Sequence, residues 1–200
     1  MNERIVEIPF ALNALSGLNN ARARVLDLGC MESVLPLFMA SLGYQVTGFD
    51  FREYPYRVPN FSFQQGDILH LPFAEHEFDA VTCVSTLEHI GIGFYNDPTG
   101  QAQAPDVQAM RQIQKVLKPE GLLVLSVPFG QAHTDHQQRV YDTVALEKIL
   151  EPFNVENVTF YKNVVPDEGN NYWEKVSVET ATSCRYETGT ECVCCVTARP

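Results

Sequence analysis

The feature that most constrains this chain is a short apolar run that ends in a glycine, followed by a second run that ends in a carboxylate. The first run is Arg24-Val25-Leu26-Asp27-Leu28-Gly29-Cys30, and about twenty residues later comes Val46-Thr47-Gly48-Phe49-Asp50. This order predicts a strand, a glycine turn, a helix and a second strand, which form the βαβ unit that holds nucleotides. The chain is therefore expected to be an α/β protein with a nucleotide-like cofactor.

Length and charge narrow the class of protein further. A chain of 200 residues with 45% hydrophobic and 20% charged content predicts one compact domain over residues 1–200. The net charge of -11, from 14 basic and 25 acidic residues, disfavours nucleic acid or an anionic membrane as a partner. Charged residues among the first seven interrupt any signal-peptide core, and no run has the length of a membrane span. A cytoplasmic location is expected.

Cysteines raise the question of a metal site. The six are Cys30, Cys83, Cys184, Cys192, Cys194 and Cys195. Residues 192–196 alternate as a buried strand does, so that Cys194 and Cys195 face opposite ways and cannot easily share one zinc ion. Packing in the core is favoured over a metal or a disulfide, and no metal is expected.

Strand-like and helix-like segments alternate along the chain, which predicts a mostly parallel sheet covered on both faces. The predicted strands are residues 25–28, 45–50, 61–65, 80–85, 122–127, 155–161 and 192–198. The predicted helices cover residues 34–42, a segment capped by Asp106 that reaches Val116, and residues 143–150. Residues 118–121 are expected to turn into the fifth strand.

A short N-terminal segment, residues 1–21, precedes the first strand, and two loop segments, residues 91–105 and 164–191, are expected to lie outside the sheet. The first is too short to supply much of a helical cap over a bound cofactor. The two later segments are candidate lids, with poor order as the alternative. Their aromatic residues suit an apolar or ring-bearing ligand, while core packing and contact within a homodimer are the other interpretations. Those residues are Phe94, Tyr95, Tyr172 and Trp173.

Four landmarks, in order, resemble those of the class I S-adenosylmethionine-dependent methyltransferases over residues 22–161. They are Val25-Leu26-Asp27-Leu28-Gly29-Cys30 with Asp50; Gly66-Asp67-Ile68; Phe78-Asp79-Ala80-Val81 through Leu87-Glu88-His89-Ile90; and Leu117-Lys118-Pro119-Glu120-Gly121-Leu122. The resemblance implies a Rossmann-like, doubly wound sheet of seven strands, mostly parallel with an antiparallel last strand. It also implies S-adenosyl-L-methionine as cofactor, lying across the carboxyl ends of strands one to four.

The resemblance carries roles onto particular residues. Gly29 would let the backbone approach the amino-acid part of the cofactor, Asp50 would accept from the ribose hydroxyls, and Asp67 from the adenine amine. A solvated strand end and a turn former are the alternative interpretations of these two carboxylates. The full predicted cofactor set is Asp27, Gly29, Cys30, Met31, Asp50, Phe51, Asp67, Ile68 and Ser85.

The first turn departs from the family pattern. In Gly29-Cys30-Met31-Glu32-Ser33 two expected glycines are missing, so Met31 and Ser33 bring side chains to a place where backbone normally closes on the ligand. This leaves open a methyltransferase-like binding or scaffold protein without catalysis. It argues against a nicotinamide dehydrogenase, whose pyrophosphate needs the full glycine pattern.

Three histidines are the candidate catalytic residues. His89 follows the fourth strand and is the first candidate for a general base, with a loop-capping role as the alternative. His133 and His136 follow the fifth strand, where with Asp135 they supply a second candidate base, a metal site or an ordinary polar loop.

Glu88, Arg139 and Tyr141 are the predicted substrate-binding residues. An arginine at the rim of the site would hold an acceptor carboxylate or phosphate through two hydrogen bonds. The resulting hypothesis is methyl transfer to an oxygen of a small molecule, such as a sugar or a secondary metabolite.

Overall fold

The computed structural model describes residues 2–18, 20, 22–93, 103–166, 170–186 and 189–200. Within these residues, the strands are β1 Arg24–Leu28, β2 Gln45–Asp50, β3 Phe61–Gln65, β4 Phe78–Val84, β5 Leu117–Pro128, β6 His133–Thr134, β7 Arg139–Val140, β8 Asn154–Val164, β9 Tyr172–Val176 and β10 Cys192–Arg199. The helices are α1 Arg4–Leu15, α2 Leu35–Ser41, α3 Pro105–Val116, α4 Thr143–Leu150 and α5 Val178–Ser183.

The main sheet has the strand order β3-β2-β1-β4-β5-β10-β8-β9. Strands β1 to β5 pair in parallel, β10 is antiparallel to both β5 and β8, and β9 is antiparallel to β8. Strands β6 and β7 form a separate small hairpin. The chain runs outward from β1 to β3 and then returns to β4 on the other side of β1, so the strand order reverses between β1 and β4. In doubly wound sheets this switch point is where ligands bind.

The core lies on both faces of the sheet, as the near-continuous apolar strands require. In β1, Val25 packs in the cluster that includes residues of α1 and α2, while Leu26 packs in the cluster that includes residues of α3 and α4. Helix α3 buries Met110, Ile113 and Val116, which recur at helical spacing on one face.

The predicted sheet of mostly parallel strands with an antiparallel last strand is confirmed. Two local details differ. Residues 118–121 do not form a free turn but lie inside β5, whose ladder with β4 is irregular between Phe78 and Ala80. Helix α3 begins at Pro105, after Ala104 in a left-handed conformation, so Asp106 lies in its first turn and is not the N-cap.

The expectation that residues 164–191 lie outside the sheet is wrong. Strand β9 adds an eighth strand at the edge, next to β8, and helix α5 follows it. Tyr172 and Trp173 belong to this edge strand and do not line the main cavity. The strand was missed because Glu174 and Lys175 interrupt its apolar pattern, and such charges are typical of edge strands. Phe94 and Tyr95 lie outside the described residues.

Residues 1–21 contain a helix that the sequence analysis did not anticipate. Helix α1 buries Glu7, Ala11 and Leu15, which are spaced four residues apart on one face. None of the helices in the described part of the chain is both long and apolar enough to cross a membrane.

All six cysteines are buried and carry free thiols. Cys192 and Cys194 pack in the same apolar cluster as residues of α3 and α4, as the alternating pattern predicts. Burial raises the pKa of both thiols, which is the behaviour of core residues and not of reactive ones.

Candidate functional site

A cavity of about 320 Å³ lies at the carboxyl ends of strands β1 to β4. On what we call its β2 side, it is lined by Glu32, by the last residues of β2, and by residues just after β2 and β3. On its β4 side, it is lined by Gln138 from the segment after β5, by Thr190 just before β10, and by five residues after β4: Ser85, Thr86, Glu88, His89 and Ile90. The first residues of the chain, among them Arg4, complete the lining.

Gly29 ends β1 in a left-handed conformation with φ of 71°. A Cβ atom at this position would lie 2.2 Å from Oγ1 of Thr86, which follows β4. The Gly29 amide donates to the carbonyl of Phe49 at 2.9 Å. Glycine is therefore required here by the packing of three strand ends, whether or not a ligand also approaches it.

The unusual turn after Gly29 does not fill the cavity with side chains. Cys30–Glu32 forms one 3-10 turn in which Cys30 is buried. The Ser33 hydroxyl then accepts a hydrogen bond from the Leu35 amide at 3.1 Å, which supports the first turn of α2. Of these residues, Glu32 lines the cavity, whereas Met31 and Ser33 lie outside the lining. Ser33, at one of the two positions where the family pattern has glycine, therefore supports the start of α2.

Asp50 is buried at the end of β2 and lines the cavity. Its two carboxylate oxygens accept from the Met31 amide at 3.0 Å and from the Arg52 amide at 2.9 Å. Each carboxylate oxygen can accept more than one hydrogen bond, so the group retains capacity for a ligand hydroxyl. Two backbone donors therefore fix the carboxylate in place.

An ion pair lies beside this carboxylate. Arg52 Nη1 is 2.8 Å from Glu32 Oε1, and the guanidinium lies 5.4 Å from the centre of the Phe51 ring. Phe51, Arg52 and Glu32 all line the cavity. The positive charge on the β2 side is thus already balanced by a neighbouring carboxylate.

Asp67 and Ile68 line the cavity after β3. The Asp67 carboxylate accepts from the Leu69 amide at 2.9 Å and lies 2.9 Å from Nδ1 of His70. It therefore caps a 3-10 turn, which is the turn-forming role that the sequence left open, while it remains partly exposed. Ile68 is partly buried and packs against the core, which fixes one side of its side chain.

On the β4 side, Ser85 has the left-handed φ of 42° that is uncommon for a residue other than glycine. Its amide donates to Oγ of Ser126 at 3.0 Å, and its hydroxyl donates to Glu7 Oε1 at 2.6 Å. The Ser126 hydroxyl donates to the same Glu7 oxygen at 2.7 Å. Strained backbone of this kind persists where its surroundings fix it, and it is frequent at functional sites.

Glu7 and Arg4 attach helix α1 to this part of the sheet. Glu7 is 1% exposed, and burial raises the pKa of its carboxyl while the nearby Arg4 guanidinium opposes that rise. Arg4 Nη1 is 3.4 Å from Glu7 Oε2 and donates to the Val84 carbonyl at 2.9 Å. The sequence analysis missed both residues; the one available signal was a glutamate on the same helical face as Ala11 and Leu15.

Glu88 and His89 form the second notable group on the β4 side. Glu88 is 2% exposed, its Oε2 has no hydrogen-bond partner among the described residues, and burial raises its pKa to about 8. His89 Nε2 lies 3.8 Å from Glu88 Oε1, and its Nδ1 lies 2.6 Å from the Gln137 carbonyl oxygen. Burial lowers the pKa of His89. Near neutral pH both side chains are therefore mainly uncharged.

The other residues predicted after β5 lie away from the cavity lining. His133 is largely exposed, stacks on Tyr186 and has Nε2 3.6 Å from Asp135 Oδ2; His136 is exposed in the same hairpin connection. Arg139 lies in β7. The hairpin directs these side chains away from the cavity. It brings Gln138 into the lining and the Gln137 carbonyl against His89.

Tyr141 and Asp27 are buried in the protein interior. The Tyr141 hydroxyl lies 3.3 Å from Asp106 Oδ2. Asp27 accepts a hydrogen bond from the Thr82 hydroxyl at 2.5 Å, and burial raises its pKa to about 7. Neither lines the cavity, and neither does the predicted residue Cys30. For Asp27 the reason is its place within β1, because a residue within a strand points to a face of the sheet and not beyond its end.

Comparison with known proteins places this geometry in a family. A model described as a methyltransferase domain matches residues 26–125. A ubiquinone biosynthesis O-methyltransferase from Aromatoleum aromaticum is 30% identical over 171 residues, covering 80% of this chain. The chain spans 66% of the length of that relative and 56% of the length of another from Vibrio cholerae.

Solved structures show the same fold. The 1,6-didemethyltoxoflavin-N1-methyltransferase from Burkholderia thailandensis, with bound 1,6-didemethyltoxoflavin and S-adenosylhomocysteine, has a TM-score of 0.66 at 18% identity, covering 97% of this chain and 78% of that one. An S-adenosylmethionine-dependent methyltransferase from Methanosarcina mazei has a TM-score of 0.63 at 17% identity, covering 96% of each chain.

Proposed function

We propose, on the premise that this chain belongs to the methyltransferase domain family matched over residues 26–125, that it transfers a methyl group from S-adenosyl-L-methionine to a hydroxyl oxygen of an uncharged small molecule. The observation that carries the proposal is one cavity at the switch point of the sheet, with a fixed carboxylate on its β2 side and a buried Glu88–His89 pair on its β4 side. The name of the curated relative, an O-methyltransferase, supports oxygen as the acceptor atom.

The β2 side suits the nucleoside part of the cofactor. Asp50 is fixed by two backbone amides and keeps acceptor capacity for ribose hydroxyls. Asp67 and Ile68 offer an acceptor and an apolar edge for an adenine ring, and Phe51 adds an aromatic surface. When bound, the cofactor supplies a methyl group that its sulfonium already activates. The protein then mainly needs to align the acceptor and remove its proton.

His89 is proposed as the general base. A carbonyl oxygen only accepts hydrogen bonds, so the 2.6 Å contact with Gln137 places the ring proton on Nδ1 and makes Nε2 the basic nitrogen. Burial lowers the pKa of His89, so the ring is neutral and able to accept a proton at neutral pH.

Glu88 is proposed to orient the acceptor. With a pKa of about 8, its carboxyl is mainly protonated at neutral pH, and a protonated carboxyl has both a donor and an acceptor oxygen. Because its Oε2 has no partner among the described residues, a bound hydroxyl compound would satisfy a buried polar atom.

The charges around the cavity indicate an acceptor without negative charge. Carboxyl groups predominate in the lining, and both arginines there already face carboxylates: Arg4 faces Glu7, and Arg52 faces Glu32. Arg139, from which the sequence predicted an acceptor carboxylate or phosphate, lies outside the lining. A hydroxyl-bearing neutral compound fits this environment better than an anion. A sugar or a secondary metabolite stays the predicted class.

Calorimetric titration with S-adenosylmethionine and with S-adenosylhomocysteine tests the first step. We expect micromolar binding that Asp50→Ala abolishes and that the exposed α4 variant Glu147→Ala preserves. Absence of binding in a folded protein would contradict the proposal and favour a methyltransferase-like scaffold.

Where the cofactor binds, a screen of neutral hydroxyl compounds against matched carboxylic acids tests the acceptor class. Methylation of the acids alone would contradict the proposal of an uncharged acceptor.

A further inference from the structure

The connection between β6 and β7 is a tight turn built on one carboxylate. Asp135 Oδ1 accepts from the Gln137 amide at 2.7 Å and from the Gln138 amide at 2.9 Å. The Asp135 amide donates to the Gln138 carbonyl at 3.1 Å, which closes the turn. Backbone hydrogen bonds hold the pKa of the Asp135 carboxyl below its usual range, so the group is ionised at neutral pH. Within this turn, the Asp135 carboxylate is therefore the side chain that fixes the backbone amides of Gln137 and Gln138.

This turn reaches the cavity from the side of the hairpin. The Gln137 carbonyl accepts from His89 Nδ1 at 2.6 Å. Gln138 lines the cavity, and its side-chain amide donates to Oγ1 of Thr190 at 3.3 Å, so the turn is also held against the segment before β10. The Gln137 carbonyl and the Gln138 amide belong to one peptide plane, so the Asp135 carboxylate, which accepts from that amide, also directs the carbonyl that contacts the imidazole.

We propose that Asp135 is a positioning residue that keeps the His89 proton on Nδ1 through the Gln137 carbonyl, and so keeps Nε2 directed to the acceptor. The proposal rests on the proposed role of His89 as base. It gives the hairpin a role in the site that does not require His133 or His136 to enter the cavity.

The charged groups around His89 do not replace this contact. Glu88 lies next to Nε2, at 3.8 Å, and not next to Nδ1. Arg4 from α1, and Arg52 and Glu32 from the β2 side, act on the imidazole through their charges. These charges alter how readily the ring is protonated, whereas the Gln137 carbonyl selects which nitrogen carries the single proton of the neutral ring.

The test is nitrogen-15 NMR of the full chain labelled at histidine, with the His89 signals assigned by their loss in His89→Gln. In the wild type, above the pKa of His89, we expect the shifts of a protonated Nδ1 and an unprotonated Nε2. In Asp135→Ala we expect a mixture of the two neutral forms. In Asp135→Asn, whose side-chain carbonyl still accepts from both amides, we expect the wild-type pattern.

Two controls separate positioning from folding. Asp142 caps α4 by accepting from the Ala145 amide at 2.8 Å, so Asp142→Ala removes a comparable hydrogen bond away from the site and should leave the His89 signals unchanged. Gln137→Ala keeps the backbone carbonyl and should also leave them unchanged. Thermal unfolding checks that all variants are folded at the temperature of the spectra.

Kinetics complete the test. With a methyl acceptor in hand, Asp135→Ala should lower kcat about tenfold, the size of effect expected when a base is misaligned but still present, with an unchanged cofactor Kd. An unchanged His89 tautomer in Asp135→Ala would overturn this inference. An unchanged kcat in His89→Gln would instead overturn the proposed base, and the two results are read from different variants.

Discussion

The two sides of the cavity differ in how their polar groups are satisfied. On the β2 side, the Asp50 carboxylate accepts from the Met31 and Arg52 amides, and the Asp67 carboxylate accepts from the Leu69 amide. On the β4 side, Glu88 is buried with one oxygen that has no hydrogen-bond partner in the described part of the chain, and Ser85 has strained backbone. A satisfied, prearranged side is suited to binding, whereas unsatisfied buried groups with shifted pKa values are typical of chemistry. We infer that the β2 side binds the cofactor and the β4 side carries out the chemical step. Substitutions on the β2 side should therefore change the cofactor Kd, and substitutions on the β4 side should change kcat.

The largest expected effect is on the β4 side. His89→Ala should lower kcat by about 10²–10⁴-fold, because general base catalysis contributes that much, while the cofactor Kd stays within about twofold. Steady-state kinetics and calorimetry measure the two constants separately. His136→Ala, an exposed histidine of the hairpin, is the matched control and should leave both unchanged. A large rise in the cofactor Kd of His89→Ala would contradict the inference that the two sides affect different constants.

The reciprocal effect is expected on the β2 side. Asp50→Asn should weaken cofactor binding roughly 10–100-fold, the value of a hydrogen bond to a charged acceptor, and at saturating cofactor kcat should be nearly unchanged. The carboxamide keeps one oxygen to accept from Met31 or Arg52, so the turn should persist. A collapse of kcat at saturation would show that the β2 side also controls the chemical step.

The difference between the sides also explains what the sequence could predict. Asp50, Asp67 and Gly29 follow apolar runs directly, and the carboxyl ends of parallel strands meet at one edge, so local patterns were enough to bring them together. His89 and Glu88 were found for the same reason, since they come directly after β4. Local sequence patterns were therefore sufficient to predict the site residues that directly follow strands.

Contacts between distant segments were beyond such patterns. Glu7 meets Ser126 across 119 positions of sequence, and no local rule places a helix near the start of the chain against two strand ends. Residues 133–141 were predicted to face the site as a group, but a two-stranded hairpin turns His133 outward and brings the Gln137 carbonyl inward. The direction of a loop is set by its tertiary contacts and not by its composition.

A smaller effect concerns stability, and it involves Asp27, whose carboxyl faces Thr82 of β4. Burial raises its folded pKa from 3.8 to about 7, so its protonated form is favoured in the folded protein. Its stabilising contribution is therefore full below pH 3.8 and is lost as the pH rises towards and through 7. The free energy of unfolding should therefore fall with pH over this range, and Asp27→Asn should reduce the steepness of that fall by up to about 1.4 kcal/mol per pH unit. Urea unfolding from pH 4 to 8 measures it.

Asp79 provides a control of opposite sign for that measurement. Burial is the largest single effect on Asp79 and raises the pKa of its carboxyl, but Lys118, whose ammonium lies 2.6 Å away, and the amide and charge of Arg24 together lower that pKa below its usual value. Its contribution is present above the usual pKa of 3.8 and is lost as the pH falls, so Asp79→Asn should destabilise the protein mainly at neutral pH. Parallel pH slopes in the two variants would contradict the assignment for Asp27.

The smallest expected effect is in the pH dependence of kcat, and it tests the role of Glu88. Because burial lowers the pKa of His89, kcat should rise with pH in a range below the usual titration range of an imidazole, as the base loses its proton. Because the pKa of Glu88 is about 8, kcat should fall again as this carboxyl ionises, by about twofold at pH 8 and about tenfold at pH 9. Glu88→Gln cannot ionise, so it should keep the acid limb and lose the alkaline one. If the alkaline limb persists in Glu88→Gln, the fall belongs to another group, and the buried carboxyl on the β4 side has a structural role only.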